Sequence, residues 1–100
     1  MNDGQLSITV SDGDPRVVKL RGELDLATAG DLEQTLASSR GNVEIDCTGL
    51  EFIDSSGLHV LVDVHKALER RGNRLVLRNV GGPALRVLEV TQLDEALHLE

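Results

Sequence analysis

Apolar and polar residues alternate in several short segments of the chain, and this period of two is typical of half-buried β-strands. The clearest case is the first segment, where Leu6, Ile8 and Val10 alternate with polar residues. The segment around Val76 is apolar without interruption, which favours a strand that is central in a sheet or covered on both faces. The pattern predicts strands at residues 6–10, 17–20, 43–47, 75–77 and 96–99.

Other segments space their apolar residues three or four positions apart, as one buried face of an α-helix requires. Leu32 and Leu36 predict a first helix that ends within residues 38–41. Thr28, with Asp31 three residues later, predicts a variant of the capping box at the start of this helix.

A second, longer helix is predicted to follow a short connection at residues 50–54. Asp54 is expected to be its N-cap, with Ile53 and Leu58 at the two positions of a hydrophobic staple. A third, short helix is predicted near Pro83, which suits a first helical turn. The side chains expected to face inward from these two helices are Leu58, Leu61, Val62, Leu68, Leu85 and Leu88.

The predicted element order is β-β-α-β-α-β-α-β. Strands that alternate with helices after an opening hairpin indicate an α/β fold, with a mixed β-sheet flanked by helices and right-handed crossovers. The length of 100 residues and the hydrophobic content of 40% suit one domain with one core. No internal repeat, linker or low-complexity segment divides the sequence. We therefore expect residues 1–100 to form a single domain.

The net charge of −7 argues against a protein that binds nucleic acid through its phosphates. The charge is uneven, because residues 1–54 contain eleven acidic and four basic side chains and residues 55–100 contain six of each. This asymmetry favours a partner with a basic patch, although a solvated surface gives the same composition. The basic residues cluster without aromatic neighbours and are interpreted as a solvated rim: Arg70, Arg71, Arg74, Arg78 and Arg86.

Composition also indicates the compartment. Cys47 is the single cysteine, so no internal disulfide can form, and its place in an alternating segment predicts a small buried side chain. No apolar run approaches the roughly 20 residues that span a bilayer. Residues 1–4 lack the basic-then-apolar layout of a signal peptide. We expect a cytoplasmic protein that does not insert into a membrane.

The most informative segment is residues 52–58, at a predicted strand-to-helix junction. Ser55 and Ser56 fall in the first turn of the helix, and Gly57 leaves that turn open to the approach of another protein. A phosphoryl group on such a serine would be stabilised by the helix dipole and by free N–H groups of the first turn. The alternative is that Asp54 and the two serines only cap the helix.

Patterns typical of catalysis or ligand binding are missing from the sequence. Ser55 has no nucleophile-elbow glycines and no histidine base placed by sequence, so a small hydrolase is only an alternative from another class. His59 with Asp63, and His65 with Glu69, are interpreted as exposed hydrogen-bonded pairs, because no further metal ligands accompany them. The glycines form no phosphate-binding loop. We predict no enzymatic activity, no metal and no cofactor.

Two segments resemble the signature segments of the STAS family, which comprises anti-sigma factor antagonists and a related domain of sulphate transporters. The first is Gly22-Glu23-Leu24-Asp25 followed by Thr28, and the second is Asp54-Ser55-Ser56-Gly57-Leu58. The resemblance implies that Ser55 is phosphorylated by a partner anti-sigma factor, a serine kinase with a GHKL-type ATP fold. The residues it places at the partner surface are Asp25, Thr28, Asp54, Ser55, Ser56 and Gly57.

The function implied by this resemblance is that of an anti-sigma factor antagonist in a stress-responsive transcription switch. The unphosphorylated protein would bind the anti-sigma factor and release a sigma factor, and a phosphatase would reverse the phosphorylation that ends binding. The alternative is a STAS subunit of a lipid-transport complex or another constitutive interaction module. We expect a monomer or weak dimer. The further C-terminal helix that is usual in the family is expected to be absent, because the chain stops at Glu100.

Overall fold

The computed structural model describes residues 5–100, and these form a five-stranded sheet with helices packed on it. The strands lie in the sheet in the order in which they occur along the chain. They are β1 (Leu6–Ser11), β2 (Arg16–Leu24), β3 (Val43–Ile53), β4 (Leu75–Arg78) and β5 (His98–Leu99). β1 pairs with β2 antiparallel, whereas the pairs β2–β3, β3–β4 and β4–β5 are parallel. The α/β class and the mixed sheet are confirmed.

The helices follow the parallel strands. They are α1 (Ala29–Ala37), α2 (Ser55–Arg70), α3 (Gly82–Val90) and α4 (Leu93–Ala96). Parallel neighbours in a sheet need a crossover connection, and α1, α2 and α3 supply it here. Residues 1–4, which the predicted domain and the signal-peptide argument both include, lie outside the described residues.

The core is aliphatic and lies on one face of the sheet. Val18, Ile45 and Leu77 are paired in register across three parallel strands, and each is 0% exposed. Leu32 of α1 and Leu61 of α2 are buried in the same cluster. Apolar side chains on one sheet face therefore meet the apolar stripes of the helices, which is the layered packing that the pattern predicts.

Cys47 lies in this core, as predicted. Burial raises the pKa of its thiol to about 12, and the negative charge of Asp46 acts in the same direction. Its sulfur is 3.7 Å from the carbonyl oxygen of Ile45. The thiol is therefore protonated and inert near neutral pH.

The prediction of a connection at residues 50–54 is wrong, because β3 continues to Ile53. The pairing of β2 with β3 shifts register at two places, between Lys19 and Arg21 and between Gly22 and Glu23. Such irregularities break the alternation of apolar residues, so the second half of the strand does not show the period of two.

The apolar segment around Val76 forms β4, which lies between β3 and β5 and is therefore central in the sheet, as one of the two predicted alternatives requires, although Val76 itself is half-buried. Two smaller expectations about helices differ from the structure. The four-residue helix α4 precedes β5 and was not predicted, since one helical turn is too short to show a helical period. In α3, Ala84 and Leu88 are buried while Leu85 is half-buried.

Among residues 5–100, no helix combines the length and the apolar character needed to cross a membrane.

Candidate functional site

Asp54 is the N-cap of α2, as predicted. Its backbone is extended, with φ −116° and ψ −172°, and its Oδ1 atom accepts hydrogen bonds from the backbone N–H groups of Ser56 (2.9 Å) and Gly57 (3.2 Å). Ile53 before the cap and Leu58 after it are both buried, as the two positions of a hydrophobic staple require. The start of α2 is thus fixed by both polar and apolar contacts.

Ser55 is the first residue of α2, and its side chain is exposed. No hydrogen bond joins its hydroxyl group to any residue of the described part of the chain. The capping carboxylate takes its donors from the next two residues, Ser56 and Gly57. The Ser55 hydroxyl is therefore exposed to solvent and contributes no hydrogen bond to the described part of the fold.

The expectation that a phosphoryl group would meet several free N–H groups is not supported by this geometry. The amides of Ser56 and Gly57 already donate to Asp54, and the amide of Leu58 donates to the Asp54 carbonyl oxygen at 3.0 Å. A phosphate on Ser55 would meet the positive end of the helix dipole and the negative charge of Asp54 instead.

Thr28 does not form the predicted capping box with Asp31. The structure shows no side-chain cap at the start of α1, although Thr28 is the N-cap residue. Its hydroxyl points back into the preceding loop, where it donates to the carbonyl oxygen of Glu23 at 2.8 Å and accepts from the N–H of Asp25 at 2.9 Å. Thr28 is only 2% exposed, so it supports the loop from inside.

Asp25 is held in this same loop. Its Oδ1 atom accepts hydrogen bonds from the backbone N–H groups of Ala27 (3.0 Å) and Thr28 (3.2 Å). Asp25 is half-buried, while the next residue, Leu26, is 80% exposed. The loop therefore presents a partly accessible carboxylate and an apolar side chain.

The two predicted segments meet in space. The N–H group of Leu26 donates to Asp54 Oδ2 at 3.1 Å, and the N–H group of Asp54 donates to the Leu24 carbonyl oxygen at 3.1 Å. Leu24 and Ile53 are also paired in the sheet. We call the surface formed by Asp25, Leu26, Asp54, Ser55 and Ser56 the junction surface.

Leu26 is the member of the junction surface that sequence reasoning missed. It lies in a loop, so neither strand nor helix periodicity applies to it, and a leucine there gives no sign of exposure. The signal that was available is its position directly after Asp25, inside the first signature segment. Apolar side chains exposed beside polar ones are common in surfaces that bind other proteins.

Gly57 is buried, so the prediction that it leaves the first turn open to another protein is wrong. A Cβ atom at this position would lie 2.6 Å from Leu24 Cγ and 2.9 Å from both Ile53 Cγ1 and the Leu24 carbonyl oxygen. Glycine is needed here because the helix packs closely on the ends of β2 and β3. Gly57 supports the junction surface from below and does not form part of it.

A groove of about 430 Å³ runs from Ser55 along α2. Apolar and charged side chains line it together: Leu58, His59, Val62, Asp63, Lys66 and Leu93. No hydrogen bond links the Ser55 hydroxyl to His59 or to another described side chain, so the arrangement lacks the base that a serine nucleophile needs.

The histidine pairs differ from their prediction. His59 and Asp63 are exposed, and within residues 5–100 no hydrogen bond or ion pair joins them. His65 is buried, and its Nε2 atom lies 3.6 Å from Glu69 Oε1. Glu69 Oε2 also lies 3.7 Å from Nε2 of His98, a residue of β5 that no sequence spacing connects to the pair.

The fold and this geometry agree with one family. The family model described as "Mlab, STAS domain" matches residues 8–99. The chain therefore belongs to the STAS domain family, as its two signature segments suggested.

Similar proteins include several named as anti-sigma factor antagonists. The chain is 30% identical over 95 residues to the anti-sigma-B factor antagonist of Staphylococcus epidermidis, covering 91% of this chain and 88% of that protein. The crystal structure of an anti-sigma factor antagonist from Mycobacterium paratuberculosis has a TM-score of 0.84 at 29% identity, over 98% of this chain and 87% of that one. The Bacillus cell fate determinant SpoIIAA in its phosphorylated form shares the fold, with a TM-score of 0.74 at 19% identity over 94% and 91% of the two chains.

Proposed function

We propose that this protein is an anti-sigma factor antagonist whose binding is switched off by phosphorylation of Ser55. The observation that supports this most is the Ser55 hydroxyl, which is exposed and unbonded within the described residues at the start of a capped 16-residue helix. The names of its relatives in Staphylococcus and Mycobacterium support the class of function. The phosphorylated form of SpoIIAA supports the kind of modification.

The kinase in this proposal is the anti-sigma factor itself, a serine kinase with a GHKL-type ATP fold. Transfer forms a bond between Ser55 Oγ and the γ-phosphorus of ATP, breaks the bond to the leaving oxygen of ADP, and gives the hydroxyl proton to a base of the kinase. The exposed Leu26 and the half-buried Asp25 lie beside the reacting group and supply apolar and charged contacts to the kinase. A phosphatase returns the serine to its binding form.

The physical basis of the switch is local charge. A phosphoserine adds roughly −1.5 to −2 charge at neutral pH. The amides of Ser56 and Gly57 already donate to Asp54, so the new charge finds few free donors and lies close to a carboxylate. We infer that phosphorylation leaves the fold intact and makes the junction surface repel the partner that it binds when unphosphorylated.

The site assignment is tested by modification in a cytoplasmic extract of the source organism. The purified protein is incubated with the extract and Mg-ATP, and intact mass and peptide mapping then locate any phosphoryl group. We expect one group on Ser55, absent from S55A and retained in the neighbouring variant S56A. Modification at Ser56 alone, or modification that persists in S55A, contradicts the assignment.

The partner assignment is tested by titrating the kinase obtained from that extract against three forms of the protein. We expect the wild type and S55A to bind with similar affinity and S55D to bind at least about tenfold more weakly, since a charge in the interface is unpaired. Equal affinity of S55D contradicts the switch. Absence of modification, with membrane-transport subunits recovered on the immobilised protein, would favour the lipid-transport alternative.

A further inference from the structure

Two histidines and a glutamate come together at the side of the molecule where α2 passes β5. His65 and Glu69 lie one helical turn apart on α2, and His98 comes from β5. The three residues offer one ligand atom each within 4.8 Å of one another. We call these three residues the His–Glu–His cluster.

The distances within the cluster are too long for ordinary hydrogen bonds and suit a shared ion. His65 Nε2 is 3.6 Å from Glu69 Oε1, and His98 Nε2 is 3.7 Å from Glu69 Oε2. Ligands about 2.0 to 2.1 Å from a tetrahedral zinc ion lie about 3.3 Å from one another. The two histidine–glutamate distances exceed this value by a few tenths of an ångström, and all three ligand atoms lie within 4.8 Å of one another, so rotamer adjustment of the exposed Glu69 and half-exposed His98 side chains is needed to close the site.

The orientation of the rings also favours convergence. The centroids of His65 and His98 are 5.5 Å apart and the ring planes make an angle of 68°, so the rings do not stack. Each ring turns its Nε2 atom toward the same carboxylate. Two imidazole nitrogens and a carboxylate oxygen are a donor set that zinc prefers.

Burial distinguishes His65 from an ordinary surface histidine. The residue is 9% exposed, and its Nδ1 atom is buried without a hydrogen-bond partner within residues 5–100. Nε2, which faces Glu69, is therefore the ring nitrogen that has a polar neighbour. The side chains of Glu69 and His98 are 52% and 38% exposed, which leaves a path for an ion and room for water as a further ligand.

We propose that the His–Glu–His cluster is a binding site for a divalent transition-metal ion, with Zn²⁺ as the expected occupant. The ion would be held by Nε2 of His65, a carboxylate oxygen of Glu69 and Nε2 of His98, with water completing a tetrahedron. β5 pairs with β4 at only two positions, Val76 with His98 and Leu77 with Leu99. A metal ion would therefore fasten this short edge strand to the long helix α2.

This site is separate from the junction surface. His65 lies ten positions after Ser55 on the same helix, which at about 1.5 Å per residue is about 15 Å along the axis of α2. Metal binding and phosphorylation are therefore independent properties, and the failure of either would leave the other standing.

The test is a titration of the metal-free protein with Zn²⁺ by isothermal calorimetry, after treatment with a chelator. We expect one saturable site in the wild type and a rise in melting temperature with added Zn²⁺, because a ligand that binds only the folded state stabilises it. H98Q removes a half-exposed ligand on the edge strand and is expected to weaken Zn²⁺ binding by at least about tenfold. E69Q, at an exposed position, is expected to do the same.

The matched control is H59Q, because His59 and Asp63 have the same four-residue spacing on the same helix but no third ligand within residues 5–100. We expect H59Q to bind Zn²⁺ as the wild type does. Loss of binding in H59Q, equal binding in H98Q and E69Q, or no saturable site in the wild type would each overturn the proposal. Circular dichroism of each metal-free variant checks that lost affinity does not reflect lost structure.

Discussion

Two strand-to-helix junctions of this protein, between β2 and α1 and between β3 and α2, use the same kinds of residue in different ways. At the first junction, residues 24–29, the hydroxyl of Thr28 is buried and bonded within the loop, and α1 has no side-chain cap. At the second junction, residues 53–57, Asp54 caps α2 directly and the hydroxyl of Ser55 is exposed. One hydroxyl stabilises the fold, while the other is free for chemistry.

The difference shows how an exposed hydroxyl can be presented without weakening the domain. The polar requirements of the second junction are met by Asp54, which also accepts a hydrogen bond from Leu26 in the first junction. The first junction has no free hydroxyl, but it holds Asp25 and Leu26 beside Ser55. We expect the two junctions to respond differently to substitution. The predictions for substitutions at the junctions run from the largest effect to the smallest, and a pH test of the sheet behind them follows.

Removal of the Asp54 carboxylate is expected to have the largest effect, because it breaks the cap of α2 and the bond between the junctions together. D54A should lower the free energy of unfolding by about 2 to 3 kcal/mol, the sum of a lost N-cap and a lost hydrogen bond to a charged group. Urea denaturation measures this change.

Two variants separate the parts of that effect. D54N keeps a good N-cap but places an amide donor or a neutral oxygen opposite the Leu26 N–H group. It should therefore lower the free energy of unfolding by about half as much as D54A. D63A, on the same helix, removes an exposed carboxylate without a hydrogen bond in the described residues and should change stability by less than about 0.5 kcal/mol. Equal losses in D54A and D63A would contradict the role of the cap.

Alanine at Gly57 of the second junction and alanine at Gly30, which directly follows the first junction, are expected to have different effects on stability. At Gly57 a Cβ atom would lie 2.9 Å from the Leu24 carbonyl oxygen, so G57A should destabilise the protein by about 1 to 2 kcal/mol. Gly30, in the first turn of α1, has open space around it, so G30A should be neutral or stabilising by up to about 1 kcal/mol. Thermal unfolding followed by circular dichroism compares them, and a destabilised G30A would argue against this packing difference.

The buried hydroxyl of the first junction is tested by T28V, which keeps the shape of the side chain and removes its hydrogen bonds to Glu23 and Asp25. We expect a loss of about 1 to 2 kcal/mol, because the N–H group of Asp25 is left without its partner. T35V removes a hydroxyl that donates to the Asp31 carbonyl oxygen on α1, at an exposed bond, and should cost less than about 0.5 kcal/mol. If T28V were as stable as the wild type, the first junction would be held by its backbone hydrogen bonds alone.

The sheet behind both junctions is tested by pH. The folded pKa of the Cys47 thiol is raised to about 12, above its value in the unfolded chain, so the unfolded state ionises first as pH rises. The contribution of the thiol to the free energy of unfolding is therefore constant below about pH 8.5. Above that pH the free energy of unfolding falls by about 1.4 kcal/mol per pH unit, until the pH reaches the folded pKa. Denaturation at pH 8 and pH 10 should show this loss in the wild type beyond that in C47A. Equal losses in the two proteins would mean that the thiol is not desolvated.

Residue patterns predicted the cap of the second junction correctly and the cap of the first one wrongly. Asp54 follows an apolar residue and precedes an amphipathic helix, so its capping role depends on local sequence alone. The sequence around Thr28 is compatible with a capping box to Asp31, but its hydroxyl bonds to the Glu23 carbonyl oxygen instead. That bond depends on how β2 ends beside β3. The register shifts in that pairing are a tertiary property, which the period of two cannot show.

The same distinction explains the rest of the candidate site. Ser55 was predictable as a residue of the first helical turn, whereas the exposure of Leu26 follows from the position of a loop in three dimensions. The meeting of His98 with His65 and Glu69 brings together residues 33 and 29 positions apart in sequence, through the pairing of β5 with β4. Local patterns predicted what each segment forms, and long-range pairing decided which side chains meet.

The central claim is that Ser55 can be phosphorylated on a preformed surface without change to the fold. The most direct test is the amide nuclear magnetic resonance spectrum of the protein before and after phosphorylation by the extract kinase. We predict shifts confined to the two junctions, residues 24–29 and 53–58, with the sheet and the far end of α2 unchanged. Shifts spread through β3, β4 and the core, or loss of dispersion, would contradict this account.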